Sequence, residues 1–303
     1  MQTKIASEKI KMKFYVDYPL AKLTTFKVGG NADFFCKPRT YEEVIESFDF
    51  AKKNNIDYYI LGGGANLLIS EKGIRGLVIS TSKLNSFTFI NEKEVRVGCG
   101  LKIDKLNKKL IKLGLSGLEF SSGLPGSVGG AVFMNARCYG KEFADVIKGV
   151  DAINENFEKE TLTLDDINYS YKNSLFMKRK KIFIFEIVLK VEKSEKKFVK
   201  KEAKKNYKDR KNKGQYKYPS AGCIFKNDYN IGIPTGKIIE DLGLKGYAIG
   251  KAEVYDKHAN FIVNKKNASP EDILNLIKFI EKKALDEKGY KLERELRVLG
   301  FDN

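Results

Sequence analysis

Apolar residues recur at helical spacing through residues 41–55, where Val44, Ile45, Phe48 and Ala51 share one face. Residues 57–61 then read as a short strand running into Gly62-Gly63-Gly64, with Leu67, Leu68 and Ile69 suggesting another strand beyond. Further strands are expected at residues 76–80 and 95–97. Ile103, Leu106, Leu110 and Leu113 mark a second helix that stops near Gly114. The nearly continuous apolar, β-branched run at 182–191 suits a buried strand and closes the first half. Near the other end, Ser269 as N-cap, Pro270 at the first position, Glu271 and Asp272 in the first turn and Gly289 after the last define a helix. Its Ile273, Leu274, Ile277, Ile280 and Ala284 face a core.

Residues 193–217 break the pattern. Twelve lysines and arginines oppose Glu195, Glu202 and Asp209, about +9 in one stretch, and Phe198, Ala203 and Tyr207 offer a thin apolar stripe for a solvated helix. A boundary here divides the 303 residues into two units, 1–192 and 193–303, as the length also suggests. A hydrophobic fraction of 42% supports a sizeable core and excludes a disordered or fibrous chain. The net charge of +17 makes the surface attractive to anions without choosing among nucleic acid, membrane and phosphorylated ligands.

Lysines interrupt every apolar stretch of residues 1–14, leaving no signal-peptide core, and no later run approaches the ~20 apolar residues of a spanning helix. Cys36, Cys99, Cys138 and Cys223 lie far apart and form no CxxC pair, so neither a disulfide framework nor a zinc site is expected. The chain reads as cytoplasmic. A multi-histidine metal centre or a serine–histidine hydrolase would have to be built around the single histidine, His258, which reads instead as a structural residue.

Two glycine segments carry the candidate binding chemistry: Gly62–Gly64, and 123–130 with Gly126, Gly129 and Gly130. Glycines in tight succession let backbone N–H groups approach a diphosphate that a Cβ would obstruct, although each segment alone is equally an ordinary turn. Neither has the GxGxxG-then-helix order of a Rossmann fold. Two such loops in one half favour a dinucleotide.

Longer motifs add a resemblance. Thr24-Thr25-Phe26-Lys-Val-Gly29-Gly30-Asn-Ala32, Leu61-Gly-Gly-Gly-Ala-Asn-Leu-Leu68 and Gly123-Leu-Pro-Gly-Ser-Val-Gly-Gly-Ala131, followed by Asn135-Ala136 and Tyr139-Gly140, resemble the flavin-binding half of the UDP-N-acetylenolpyruvoylglucosamine reductase family. Tyr218-Pro-Ser-Ala-Gly-Cys-Ile-Phe-Lys-Asn227, Thr235-Gly-Lys-Ile-Ile-Glu-Asp-Leu-Gly-Leu-Lys-Gly246, His258-Ala-Asn-Phe-Ile-Val-Asn264 and Glu295-Leu-Arg297 resemble its second half. The likeness runs from about Leu23 to Gly300 in one order. It implies an α+β chain with the FAD-binding fold of the vanillyl-alcohol-oxidase-like (PCMH-type) flavoproteins and a C-terminal α+β substrate domain. The short passage from Val191 into the basic helix resembles the family's shorter, second type.

The implied activity is a step of peptidoglycan precursor synthesis: NADPH reduces non-covalent FAD, which reduces an enolpyruvyl ether on a UDP-sugar to UDP-N-acetylmuramate. Negative charge then develops beside a carboxylate and must be stabilised and protonated. The resemblance assigns these roles to Lys172, where the family commonly has arginine, Cys223, where it commonly has serine, and Glu295. Lysine keeps the charge but loses the bidentate fork; a thiol, with a free pKa of ~8.5, is a competent acid. The implied cofactor residues are Gly62, Gly63, Gly64, Ala65, Asn66, Leu67, Pro125, Gly126, Ser127, Gly129, Gly130 and Ala131, and the implied substrate residues Tyr171, Lys226 and Asn227. Glu293 is a nearby competitor of Glu295. A binding protein that grips nucleic acid with residues 193–217, stacking bases on Phe198, Tyr207 and Tyr216, is the alternative from another class. It leaves both glycine loops unexplained. Another flavoprotein of the superfamily, an oxidase, is the alternative among enzymes.

Overall fold

A computed structural model describes residues 12–179 and 182–301 of the chain. Residues 1–11, most of the start read as lacking a signal-peptide core, lie outside the described residues. The first half forms two sheets. Tyr15–Pro19, Asn31–Cys36, Ile74–Ser80 and Tyr58–Leu61 lie side by side in that order. The first pair is antiparallel, and the other pairs are parallel. Parallel neighbours need a crossover, and the helix Tyr41–Lys53 supplies one, capped by the Thr40 side chain, which accepts from the Glu43 N–H.

The second sheet is antiparallel and five-stranded, in the order Lys159–Leu162, Ile147–Ile153, Phe183–Lys190, Glu94–Gly98 and Phe87–Asn91. The helix Ile103–Leu113 ends on Gly114, whose φ of 70° is the left-handed cap a glycine supplies without strain. One apolar core joins this sheet to the first one and to both helices through Val44, Phe48, Leu77, Ile79, Leu106 and Phe183. The two sheets are thus two subdomains with shared packing.

The last third sets the helices Thr235–Asp241 and Pro270–Lys288 against a three-stranded antiparallel sheet, Ala248–Ile249, Ala252–Val254 and Ile262–Asn264. The long helix starts on the expected cap: Ser269 and Asp272 bond reciprocally, and Gly289 closes the other end. Its core also takes in Phe26, Val28 and Leu68 from the first half. The final strand, Arg297–Leu299, runs parallel to Leu67–Ile69. Packing therefore couples the two halves of the chain closely.

The basic stretch forms the helix Lys196–Asn212, but its inward face is Val199, Ala203, Asn206 and Arg210. The expected stripe is corrected by one residue: Phe198 and Tyr207 are exposed. Polar side chains hold part of the inner face, since the Asn206 amide donates to the Glu119 carbonyl at 3.0 Å, so an apolar pattern could not find it. The helix lies against Ile103–Leu113 and the short turn Glu119–Ser121 of the first half.

Leu68 has no solvent exposure although it stands only four residues beyond Gly64 of the glycine loop. Leu68→Ala should lower unfolding free energy by about 3 kcal/mol, read as a reduced urea midpoint. Val16→Ala, at a side chain 72% exposed, should leave that midpoint unchanged.

Candidate active site

The two glycine loops meet at the subdomain junction. A Cβ on Gly63 would sit 2.4 Å from the Gly126 Cα, so only glycine permits this approach. The backbone N–H groups of Gly62, Gly63, Gly64, Ala65 and Asn66 donate to no other described residue. Beyond Pro125 and Gly126, the second loop leads into a short helix, Val128–Phe133. Ser127 starts it by accepting from the Gly130 N–H, which lets a glycine pair enter a helix. Gly129 comes close to Cys99, where its N–H donates to the Cys99 carbonyl at 2.8 Å.

Together the loops wall a cleft of about 1540 Å³, larger than a single small-ligand pocket of roughly 300–1,000 Å³. Every expected cofactor residue, Gly62 to Leu67, Pro125 to Ser127 and Gly129 to Ala131, lines it. A row of unengaged amides on a cleft wall suits the diphosphate of FAD, so these residues fit that cofactor. Among the described residues no cluster of three or more His, Cys, Asp or Glu side chains could hold a metal ion.

Lys172, Cys223 and Glu295 all line the same cleft. Lys172 stands in a tight turn in which Ser170 and Asn173 exchange backbone hydrogen bonds at 3.1 Å. Its φ of 52° is a conformation that non-glycine residues seldom adopt. Flanking side chains clamp this turn to the second loop's helix: the Tyr169 hydroxyl donates to the Val132 carbonyl at 2.9 Å and Ser174 to Phe133 at 2.6 Å. From there the Lys172 ammonium meets the Glu295 carboxylate at 2.5 Å, with side-chain exposures of only 11% and 15%.

Glu295 and Cys223 come together through backbone pairing. The Glu295 N–H donates to the Ile224 carbonyl at 2.8 Å, and Asn260 holds the next residue, Phe225, through both ends of its side-chain amide. Burial pushes the Cys223 thiol up from its ordinary 9.0 to about 12, and the Glu295 carboxylate adds to the rise while Lys172 and Arg210 oppose it. Cys223 is therefore a protonated thiol at neutral pH.

Tyr171, Lys226 and Asn227 do not line the cleft. The Tyr171 hydroxyl accepts from the Asn227 N–H at 3.2 Å, the Asn227 side-chain oxygen accepts from the Thr235 N–H at 3.0 Å, and Lys226 pairs with Glu293. This geometry ties the expected substrate residues to one another beside the site. It also separates the two glutamates: Glu295 faces Lys172, whereas Glu293 is exposed and engaged by Lys226. His258 does line the cleft, packed 4.3 Å from the Phe261 ring, and burial lowers its pKa, which keeps it neutral.

Sequence reasoning placed Asn66, Asn135 and Arg297 in motifs but missed what their side chains do. The Asn66 side chain, at a position read as part of a cofactor loop, donates to the Glu295 carbonyl at 2.9 Å. Buried Asn135 donates to Glu142 at 2.9 Å and to the Ser170 carbonyl at 3.4 Å, and accepts from Ala144 at 3.0 Å, holding the Lys172 turn. Arg297 lines the cleft over the Phe133 ring. Its signal was present in Glu295-Leu-Arg297, because alternate residues of an extended segment share a side.

Two α+β subdomains with a common core, closing two glycine loops on a nucleotide-sized cleft, make up an FAD-binding flavoprotein. Residues 32–158 match the FAD binding domain family, and residues 214–299 match the C-terminal domain of UDP-N-acetylenolpyruvoylglucosamine reductase. The chain is 40% identical over 298 residues to the UDP-N-acetylenolpyruvoylglucosamine reductase of Treponema denticola, covering 93% of this chain and 92% of that one. It is 36% identical over 287 residues to the Bacillus pumilus enzyme of the same name, covering 94% and 93%. The crystal structure of the reductase from Thermus caldophilus superposes with a TM-score of 0.80 at 29% identity, over 96% of this chain and 99% of that one. The chain belongs to the UDP-N-acetylenolpyruvoylglucosamine reductase family.

Forcing the loops apart tests their role. Gly63→Ala introduces about 1–3 kcal/mol of overpacking, so FAD affinity should fall roughly 5- to 100-fold, measured by fluorescence on flavin release. The thiols give a second test. Burial raises Cys36, Cys99 and Cys223 to about 12 and pushes Cys138 up as well. Native protein should react slowly with iodoacetamide at pH 8, the rate climbing about tenfold per pH unit past the free-thiol value of ~8.5. Urea-unfolded protein should react at once. Because folding favours the neutral thiols, their contribution to stability is intact below pH 9.0 and falls as pH rises toward about 12.

Proposed function

We propose that the cleft reduces the enolpyruvyl ether of a UDP-sugar with NADPH as electron source, yielding UDP-N-acetylmuramate for peptidoglycan synthesis. The observation that carries this reading is the buried Lys172–Glu295 pair at 2.5 Å beside the Cys223 thiol, on a wall continuous with the glycine loops. FAD, bound non-covalently along Gly62–Asn66 and Pro125–Ala131, supplies hydride transfer from NADPH to the substrate's terminal enolpyruvyl carbon.

Lys172 faces the charge that then develops next to the substrate carboxylate. Its ammonium has three donors; Glu295 takes one and sets the direction of the others. Desolvation strengthens that interaction, since the effective dielectric constant is lower in a partly buried site. Cys223 holds its proton on Sγ and delivers it to the neighbouring carbon as that carbon gains basicity. Tyr171 and Asn227 position the Lys172 turn against the substrate domain through their 3.2 Å bond. The soluble nucleotide substrates suit a cytoplasmic enzyme, and no helix among the described residues is long and apolar enough to cross a membrane.

Anaerobic NADPH should bleach the flavin, and the enolpyruvyl UDP-sugar should restore its colour. Lys172→Ala should slow the second phase by about 100-fold or more, as removal of one charge-stabilising donor does elsewhere, and leave the first nearly intact. Cys223→Ser should retain substantial turnover, whereas Cys223→Ala should stall at protonation. A protein that NADPH cannot bleach, or whose reduced flavin reacts with O₂ but not with the UDP-sugar, would exclude this function. Acid precipitation that leaves flavin in the pellet would exclude the non-covalent linkage.

A further inference from the structure

The basic helix carries one side chain unlike its other cations. Arg210 is only 7% exposed, lies on the inner face of Lys196–Asn212 and lines the cleft. Its neighbours engage it only in part. The Gln215 side-chain oxygen accepts from Nη1 at 3.0 Å, the Cys138 side chain is a further hydrogen-bond partner, and the guanidinium carbon stands 5.3 Å from the centre of the Tyr139 ring. Its Nε is buried without a hydrogen-bond partner. Among the described residues no carboxylate forms an ion pair with it: the adjacent Asp209 is engaged by Lys213 and the Tyr139 hydroxyl.

A desolvated guanidinium with an idle donor and no counter-ion is expensive, and the ordinary compensation is an anion. The surroundings are built to hold it still. Gly123 makes room, since a Cβ there would lie 3.2 Å from the Arg210 Cδ and 2.2 Å from the Tyr216 hydroxyl, which instead donates to the Gly123 carbonyl at 2.8 Å. The other lysines and arginines on the cleft wall differ: Lys52, Arg137, Lys213 and Arg297 are exposed, Arg179 is paired with Glu155 and Glu160, and Lys172 is neutralised by Glu295. The field of Arg210 reaches the reacting end of the cleft, where it favours the thiolate forms of both Cys138 and Cys223.

Resting on the function proposed above, we propose that Arg210 grips the carboxylate of the enolpyruvyl group with its planar fork, so that Lys172, held by Glu295, is left to meet the charge that appears during reduction. A lysine offers no bidentate match to a carboxylate, whereas a buried arginine does. The carboxylate is favoured over the nucleotide diphosphate because Arg210 is buried beside the thiols, and the exposed cations Arg137 and Lys213 offer a diphosphate a wetter place.

Two nucleotides separate these anions. UDP-N-acetylmuramate carries the carboxylate, and UDP-N-acetylglucosamine shares its uridine, diphosphate and sugar but lacks it. Their affinities for the FAD-loaded protein are read calorimetrically and from the flavin absorption change. Arg210→Gln should weaken UDP-N-acetylmuramate about 10- to 100-fold, the worth of a charged hydrogen bond, and leave UDP-N-acetylglucosamine within about twofold. Arg210→Lys should fall between, and it carries the test where Arg210→Gln fails to fold. Equal weakening of both nucleotides would assign Arg210 to the diphosphate or to scaffolding and overturn the proposal. So would unchanged discrimination, or its loss in Lys172→Ala with retention in Arg210→Gln. A parent protein that binds neither nucleotide would instead defeat the reading of the cleft as a UDP-sugar site.

Discussion

The catalytic end of the cleft depends on the last strand lying parallel to Leu67–Ile69, with Arg297 opposite Leu67 and Leu299 opposite Ile69. That register delivers Glu295, two residues upstream, to the first glycine loop, where the Asn66 amide holds its carbonyl. From the other side, the clamped turn at residues 170–173 brings Lys172. The resulting ion pair is mostly buried, so either partner alone would be an uncompensated charge in a poorly hydrated place. Cofactor wall, C-terminal third and the Lys172–Glu295 pair are thereby locked into one arrangement: the loop that offers amides to FAD also positions the carboxylate that holds Lys172.

Local signals were easiest to read where a cap and an apolar period agree. Ser269, Pro270 and Gly289 bracket the long helix as expected, and Gly114 ends the earlier one. The glycine loops were legible because several glycines in succession have few other uses. Sequence reasoning lost ground where polar side chains do core work. Asn206 and Arg210 face inward on the basic helix, so the apolar pattern pointed to Phe198 and Tyr207 instead. Asn66 was legible as a loop residue, but its bond to a residue 229 positions away is a property of tertiary register alone. Tyr171, Lys226 and Asn227 show the converse: motif membership drew them toward the substrate, while their hydrogen-bond and ion-pair partners are each other, Thr235 and Glu293.

In the proposed mechanism, Lys172 and Cys223, the two residues that depart from the family's commoner ones, alter the chemistry together. Arginine in the Lys172 turn could serve Glu295 and a substrate carboxylate with separate edges of one plane. Lysine has a compact ammonium, so the short bond to Glu295 fixes one donor and leaves the others on a narrow cone. Such a group is better matched to a charge that grows at one place than to a two-oxygen anion already present on arrival. An arginine elsewhere on the cleft wall resolves that mismatch.

A thiol in place of a hydroxyl brings a risk as well as an acid. In water it would be partly ionised near neutral pH, and a thiolate close to the enolpyruvyl carbons would be a nucleophile as well as a base. Burial and the Glu295 carboxylate both hold the Cys223 proton in place, with Lys172 and Arg210 pulling the other way. Desolvation outweighs that pull, so the Cys223 thiol is protonated at neutral pH. In the role proposed for it, the thiol yields that proton only to a centre more basic than the thiolate it leaves behind, which the resting substrate is not and the reduced, carbanion-like substrate is. The same burial that makes Cys223 a weak acid at rest therefore confines its proton transfer to the moment after reduction.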